Sequence, residues 1–498
     1  MISLDTQKVR AFNGKNTPKG NTVMGNKEWI RGANPYMPLW EHVPDGEPRT
    51  FTYQGETRVY LYGSHDTLKT EYCGKDYVVW SAPADDLTDW KCHGVCYQAQ
   101  DDSPLYAPDV VEKDGIYYMY VAERRGSRIM VAKSDKPWGP FTDPVQTQLG
   151  FDPGILVDDD GRVYAYWGFC KSWCAELNND MATIKEGTVR ENPIPHCRAE
   201  WAPDDGCVGD DAFFEASSPR KIFGKYVYIY SRRVNRHVPA LGIYGDCNGF
   251  LSYKCSDRPL DGFRDGGDIS FNGGEIIPGE HGFNTMSYRW GNNHGSVMQV
   301  NGQWYVFYHR QTGTDEYSRQ AMLEPIDAAE GKDGKIYLGK ITYKDGEPVS
   351  SCSVEMTSQG PHINGLDARK WISAGYACHL HGGKQNAWIA PVYEQRDDIS
   401  APVKNISDGL TAGYRYLQFG PNTPKTVTVK ARTDVPVSVS VRVDTYDGRE
   451  IARLYFNAGS KTETADLMSA VTGKRAVYFR FIMRQDSENT EFDSFTFD

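Results

Sequence analysis

Apolar and polar positions alternate with a period of two over many short stretches of this chain, and few stretches carry a sustained helical period. Five of them share one aromatic and aliphatic pattern: Arg58-Val-Tyr-Leu-Tyr-Gly, Ile116-Tyr-Tyr-Met-Tyr-Val, Arg162-Val-Tyr-Ala-Tyr-Trp, Lys225-Tyr-Val-Tyr-Ile-Tyr and Gln303-Trp-Tyr-Val-Phe-Tyr. Each predicts a strand. Four follow a Gly-containing turn, at Lys113-Asp-Gly, Asp159-Asp-Gly, Phe223-Gly and Asn301-Gly, and so predict the second strand of a hairpin; the first follows the looser Gln54-Gly-Glu-Thr. Spacings of about 50 to 80 residues leave room for one four-stranded sheet per repeat, the unit of a β-propeller. Five repeats predict five blades, and the fold class is all-β.

The segment before each hairpin turn carries a polar residue: Asp45 or Glu47, then Asp109, Asp152, Glu215 and His294. The innermost strand of each blade lines a propeller's axis, so these positions can converge on one pocket although they are far apart in sequence. Acidic residues also flank turns for purely local reasons. Here, however, Leu105-Tyr-Ala-Pro-Asp109-Val-Val, Phe151-Asp152-Pro-Gly-Ile-Leu-Val and Phe213-Phe-Glu215-Ala-Ser-Ser-Pro embed each acid among apolar strand residues.

Composition narrows the function. The 498 residues carry 55 basic and 66 acidic side chains, a net charge of −11, which argues against binding nucleic acid through its phosphates. No apolar run reaches the roughly 18 to 20 residues of a membrane span, so a soluble protein is expected. Twelve Trp, 31 Tyr and 20 Phe suit both sheet packing and stacking on sugar rings, with packing able to account for most of them. The eleven cysteines form no CxxC couplet of a zinc site and read as free thiols, and residues 1–29 lack the apolar core of a signal peptide; both favour the cytoplasm.

Asn34-Pro-Tyr-Met-Pro, Asp45-Gly-Glu47-Pro48, Ala107-Pro-Asp109, the Phe214-Glu215 strand and Asn293-His294-Gly-Ser together resemble glycoside hydrolase family 43, the five-bladed propeller glycosidases, over about residues 30 to 330. The resemblance implies an inverting hydrolase with Glu215 as general acid, Asp109 orienting and tuning that acid, and Asp45 or Glu47 as general base. The family's Asp-Pro at the base position is split here: Asp45 lacks the proline and Glu47-Pro48 keeps it, so both remain candidates. The Glu215 strand continues Ala-Ser-Ser-Pro in place of the commoner Gly-Pro. The resemblance further implies His294 beneath the pocket floor, near a calcium or other cation, and Arg319 pointing into the pocket. Asp152 reads as a pocket wall, and Trp40 and Trp290 as residues that stack on sugar or pack in the core. His65 and Asp66 end a predicted strand and read as structural. Inversion needs a protonated and an ionised carboxyl about 6.5 to 9.5 Å apart, a gap that different blades can supply.

Beyond about residue 338 the pattern changes. Thr426-Val-Thr-Val-Lys, Val437-Ser-Val-Ser-Val-Arg-Val, Ala452-Arg-Leu-Tyr-Phe and Ala476-Val-Tyr-Phe-Arg-Phe predict a β-sandwich. Thr472-Gly-Lys through Tyr478-Phe-Arg-Phe, with the terminal Phe492-Asp-Ser-Phe-Thr-Phe, resembles family 6 carbohydrate-binding modules, in which Trp388, Tyr393, Tyr414 and Tyr416 would bind sugar or pack on the propeller. The expected organisation is an extension over 1–29, a catalytic propeller over 30–340, a linker over 341–368 and the sandwich over 369–498. The leading function is an exo-glycosidase releasing a terminal α-L-arabinofuranose or β-D-xylose from oligosaccharides, without an organic cofactor. A galactofuranosidase or galactosidase, and a sugar-binding propeller without turnover, are the alternatives.

Overall fold

A computed structural model of the chain describes residues 30–67, 70–196, 212–234, 247–279, 284–384, 386–390 and 401–498, and in backbone only 237–238 and 243–244. The expected extension over 1–29, Tyr393, Cys197 and Cys207 lie outside the described residues.

The five aromatic repeats form the second strands of five successive antiparallel sheets: Glu56–Tyr62, Ile116–Glu123, Val163–Gly168, Lys225–Val234 and Gln303–Gln311. Their hairpins follow from turn chemistry. Gln54-Gly55, Asp114-Gly115, Phe223-Gly224 and Asn301-Gly302 all hold positive φ at both residues, as a two-residue type I′ turn requires, and this fixes the registers Tyr53↔Glu56, Lys113↔Ile116, Ile222↔Lys225 and Val300↔Gln303. The first strands, Glu47–Tyr53, Tyr106–Lys113, Gly154–Val157, Ala212–Ile222 and Ser296–Val300, lie innermost in their sheets and give a five-bladed propeller.

Alternation within one strand serves two interfaces. Val59 and Leu61 pack with Trp80 and Phe307 between the first and last blades, whereas Tyr60 and Tyr62 pack with Val110, Tyr117 and Met119 between the first and second. Many of the aromatics are therefore inter-blade core, each large apolar side chain contributing roughly 1.5–3 kcal/mol by burial.

The fifth blade differs from the expected boundary. Glu347–Cys352 pairs with Ile336–Lys344 as a fifth strand, so part of the stretch expected as a linker belongs to the propeller. The C-terminal region forms two six-stranded sheets around a core that includes Val429, Val441, Phe479, Phe492 and Phe495, as the sandwich pattern predicts. Tyr414 is buried in that core against Phe479 and Phe495. The Tyr416 hydroxyl bonds Glu355, between the two sheet systems, and Trp388 is half-buried. The segment from Ile30 to Leu39 stitches the parts together: Ala33 and Leu39 sit in the sandwich core, and Asn34 bonds the backbone of Leu323 and the carboxylate of Glu324.

Candidate active site

A cavity of about 390 Å³ is lined by Asp45, Asp152, Glu215, His294 and Arg319, by Tyr72, Cys73, Asn248 and Asn292, and by Tyr106, Ala107, Phe151, Phe169 and Phe214. It falls within the ~300–1,000 Å³ range of small-molecule sites. Three of its polar residues occupy equivalent places. Asp45, Asp152 and His294 each stand two residues before an inner strand, those that begin at Glu47, Gly154 and Ser296. Asp45 and Asp152 hold left-handed backbone, φ 57° and 49°, which short polar side chains tolerate. Glu215 arrives by another device, since its strand bulges on either side of it and Ala216 takes φ 67°.

The Asp45 carboxylate is held from several sides. Arg319 Nη1 donates to it at 2.8 Å and the Ser64 hydroxyl at 2.6 Å, while its backbone N–H donates to His309 Nδ1 at 3.2 Å. Burial pushes this carboxyl up, but Arg319, the two histidines and Ser64 outweigh burial and hold it at about 2. Burial lowers His309 and His294 to about 3 and about 4, so at neutral pH Arg319 is the positive charge that keeps Asp45 ionised. Arg319 is itself fixed by Asp66, which accepts from its Nε and Nη2 at 2.9 Å each. Asp66, expected as merely structural, thus positions a pocket residue. His65 bridges Glu41 and Asp76, in keeping with a structural role.

Glu215 shows the opposite shift. Burial first, and the negative charge of Asp45 second, push it up to about 8. Burial also raises Asp152 well above the carboxylate range, reinforced by Glu215 and Asp45. The Ala216 N–H donates to Asp152 at 3.3 Å, which ties the two acids' segments together.

Two expected catalytic residues lie elsewhere. Asp109 does not line the cavity: it accepts from Arg49 Nη2 on both oxygens, at 2.8 and 2.7 Å, and from the Ile155 N–H at 2.7 Å. Glu47 pairs with Arg220 Nη2 at 2.5 Å and Arg49 Nη2 at 3.2 Å, and Ser218 Oγ lies 3.0 Å from it and 2.6 Å from Ser296 Oγ. These two carboxylates and two guanidinium groups form a charge-balanced buried cluster that joins the inner strands of all five blades. Asp152, not Asp109, is the carboxyl that the charge of Glu215 raises, and the oxygens of Asp109 are taken by Arg49 and the backbone.

Trp40, expected on the sugar, is 45% exposed and does not line the cavity; Trp290 packs against the Phe250 and Phe271 cluster. His294 Nδ1 lies 3.6 Å from Asp152 and 3.9 Å from Asp45. Among the described residues no group of three or more His, Cys, Asp or Glu side chains is placed to hold a metal ion, so a cation at His294 would rest on that imidazole and on water. Asn248, Asn292, Tyr72, Cys73 and the phenylalanines were not legible as site residues, although Phe151 and Phe214 each immediately precede a pocket acid.

Residues 44–204 match the model of the glycosyl hydrolases family 43. A xylosidase/arabinosidase of Thermoclostridium stercorarium is 35% identical over 440 residues, covering 80% of this chain and 85% of that protein. An arabinoxylan arabinofuranohydrolase of Paenibacillus polymyxa is 24% identical over 517 residues, covering 93% and 74%. The crystal structure of a family 43 arabinoxylan arabinofuranohydrolase from Bacillus subtilis in complex with cellotetraose aligns with a TM-score of 0.45 at 21% identity, covering 93% of this chain and 97% of that one.

Proposed function

The chain belongs to glycosyl hydrolase family 43, and we propose that it is an inverting exo-glycosidase removing terminal pentosyl residues, α-L-arabinofuranose or β-D-xylose, from xylan-derived oligosaccharides. One observation carries the reading: two carboxyls of one cavity are driven apart, Asp45 to about 2 and Glu215 to about 8, so that at neutral pH one is ionised and the other protonated. Glu215 gives its proton to the glycosidic oxygen as the bond to the anomeric carbon breaks. Asp45 takes a proton from the water that attacks that carbon on the opposite face. Asp152 orients Glu215, and Arg319 keeps Asp45 ionised and aimed.

The names of the relatives support the pentosyl choice, and a panel of 4-nitrophenyl glycosides tests it. Hydrolysis of the β-D-xyloside or the α-L-arabinofuranoside is the expected result. Turnover of galactosides or galactofuranosides alone, or sugar binding without turnover, would replace this reading. The described cysteines are free thiols, which supports a cytoplasmic enzyme acting on imported oligosaccharides. We assign the sandwich a structural role, because Tyr414 is spent in its core and Tyr416 on Glu355.

The pH profile follows from the same shifts. Glu215 is active while protonated, so kcat/KM falls as pH rises past about 8; Asp45 is active while ionised, so an acid limb appears only as pH approaches 2. In Asp152→Asn the alkaline limb stays where burial and the charge of Asp45 set it, because Asp152 is itself protonated there, and kcat falls as Glu215 loses the carboxyl that orients it. Asp109→Asn leaves the limb in place and instead lowers the thermal midpoint, since a buried ion pair broken on one side costs about 3–5 kcal/mol. Profiles of both variants against pH, with thermal denaturation, check this; a loss of kcat in Asp109→Asn with Asp152→Asn near wild type would reverse the two roles.

A further inference from the structure

A row of aromatic rings lines the cavity and ends at Phe214, the residue before Glu215. Tyr106 and Phe151 lie 5.9 Å apart between ring centroids, Phe151 and Phe169 5.3 Å, and Phe169 and Phe214 5.3 Å, with the Arg233 guanidinium 5.3 Å over Phe214. Many of the described aromatics are inter-blade core, yet Phe169 is 42% exposed at the cavity wall. Its position is built. Gly168 has φ 148°, and a Cβ there would stand 1.9 Å from the Lys171 carbonyl oxygen; Cys170, at φ 57°, donates its N–H to the Phe214 carbonyl at 2.5 Å. This tight turn clamps Phe169 against Phe214, the residue next to the proposed acid.

Position then implies role. A general acid protonates the oxygen that departs with the leaving group, so the leaving group lies on the acid's side of the pocket. We propose that Phe169, flanked by Phe214, is the stacking platform for the leaving-group sugar, a β-D-xylopyranose unit. The inference rests on the function proposed above, and it holds for both candidate activities. A xylosidase and an arabinofuranosidase acting on arabinoxylan fragments both release a xylopyranose-bearing leaving group. That ring has no exocyclic hydroxymethyl group, and its flat C–H faces suit an aromatic plane.

The test compares the full-length protein with Phe169→Ala and Phe169→Tyr on two substrates of the same terminal pentose. One is a xylo-oligosaccharide or arabinoxylan oligosaccharide, and the other is the glycosyl fluoride, whose leaving group cannot reach the platform. Phe169→Ala is expected to lose about tenfold in kcat/KM on the oligosaccharide, mostly in KM, with the fluoride and the thermal midpoint unchanged and Phe169→Tyr near wild type. Equal losses on both substrates, or no loss on either, would overturn the platform while leaving the proposed function standing. A wild-type protein inactive on both substrates would overturn that function and the platform with it.

Discussion

Glu215→Gln is expected to lose about 10²–10⁴-fold in turnover of an oligosaccharide, whose departing alkoxide needs a proton, and less than about tenfold with a 2,4-dinitrophenyl glycoside, whose leaving group does not. The asymmetry matters more than the size. A glutamine of nearly the same shape fills the same bulged strand position, so a folding defect would depress both substrates together. Steady-state rates over a series of aryl glycosides give the measurement: the variant's rates depend steeply on leaving-group pKa and the wild type's weakly. Parallel dependence in the two proteins would remove Glu215 from the acid role.

Asp45→Asn is expected to lose about 10²–10⁴-fold on every substrate, activated or not, because each inverting turnover deprotonates a water. Glu47→Gln provides the contrast. Glu47 sits in the buried cluster with Arg49 and Arg220, so its loss lowers the thermal midpoint and leaves the pH dependence of activity intact. Rates on 4-nitrophenyl pentosides with paired melting curves separate the two. Full activity in Asp45→Asn with severe loss in a folded Glu47→Gln would exchange the roles.

The strands and their blades were legible because alternation and turn residues act locally: Asp114-Gly115 and Asn301-Gly302 can hardly form anything but tight hairpins here. The choice between Asp45 and Glu47 was not legible from alternation, which places residues two apart on one face of a strand. The left-handed backbone at Asp45 breaks that rule and sends Asp45 to the cavity, while Glu47 begins the regular strand. Asp109 is kept out of the cavity for a related reason. Both acids sit among apolar residues, but Asp109 lies within its strand, opposite Tyr120, and Asp152 precedes the next one. A signal was present in the spacing. Aligning the inner strands by their first residues puts Asp45, Asp152 and His294 on one level, and Glu47 and Ser296 on the level of the ion-pair cluster. Asp66 and Phe169 carried no such signal, since their roles arise only where Arg319 and Phe214 meet them across blades.

An ionised Asp45 and a protonated Glu215 on opposite faces of the sugar would invert the anomeric carbon, and the configuration of the first product is the direct readout. Proton NMR spectra taken within the first minutes of hydrolysis of a β-D-xyloside are predicted to show α-D-xylose accumulating before mutarotation brings in the β anomer, or the corresponding inversion for an α-L-arabinofuranoside. Initial release of β-D-xylose would mean retention through a covalent intermediate and would contradict the assignment of Asp45 as a base acting on water.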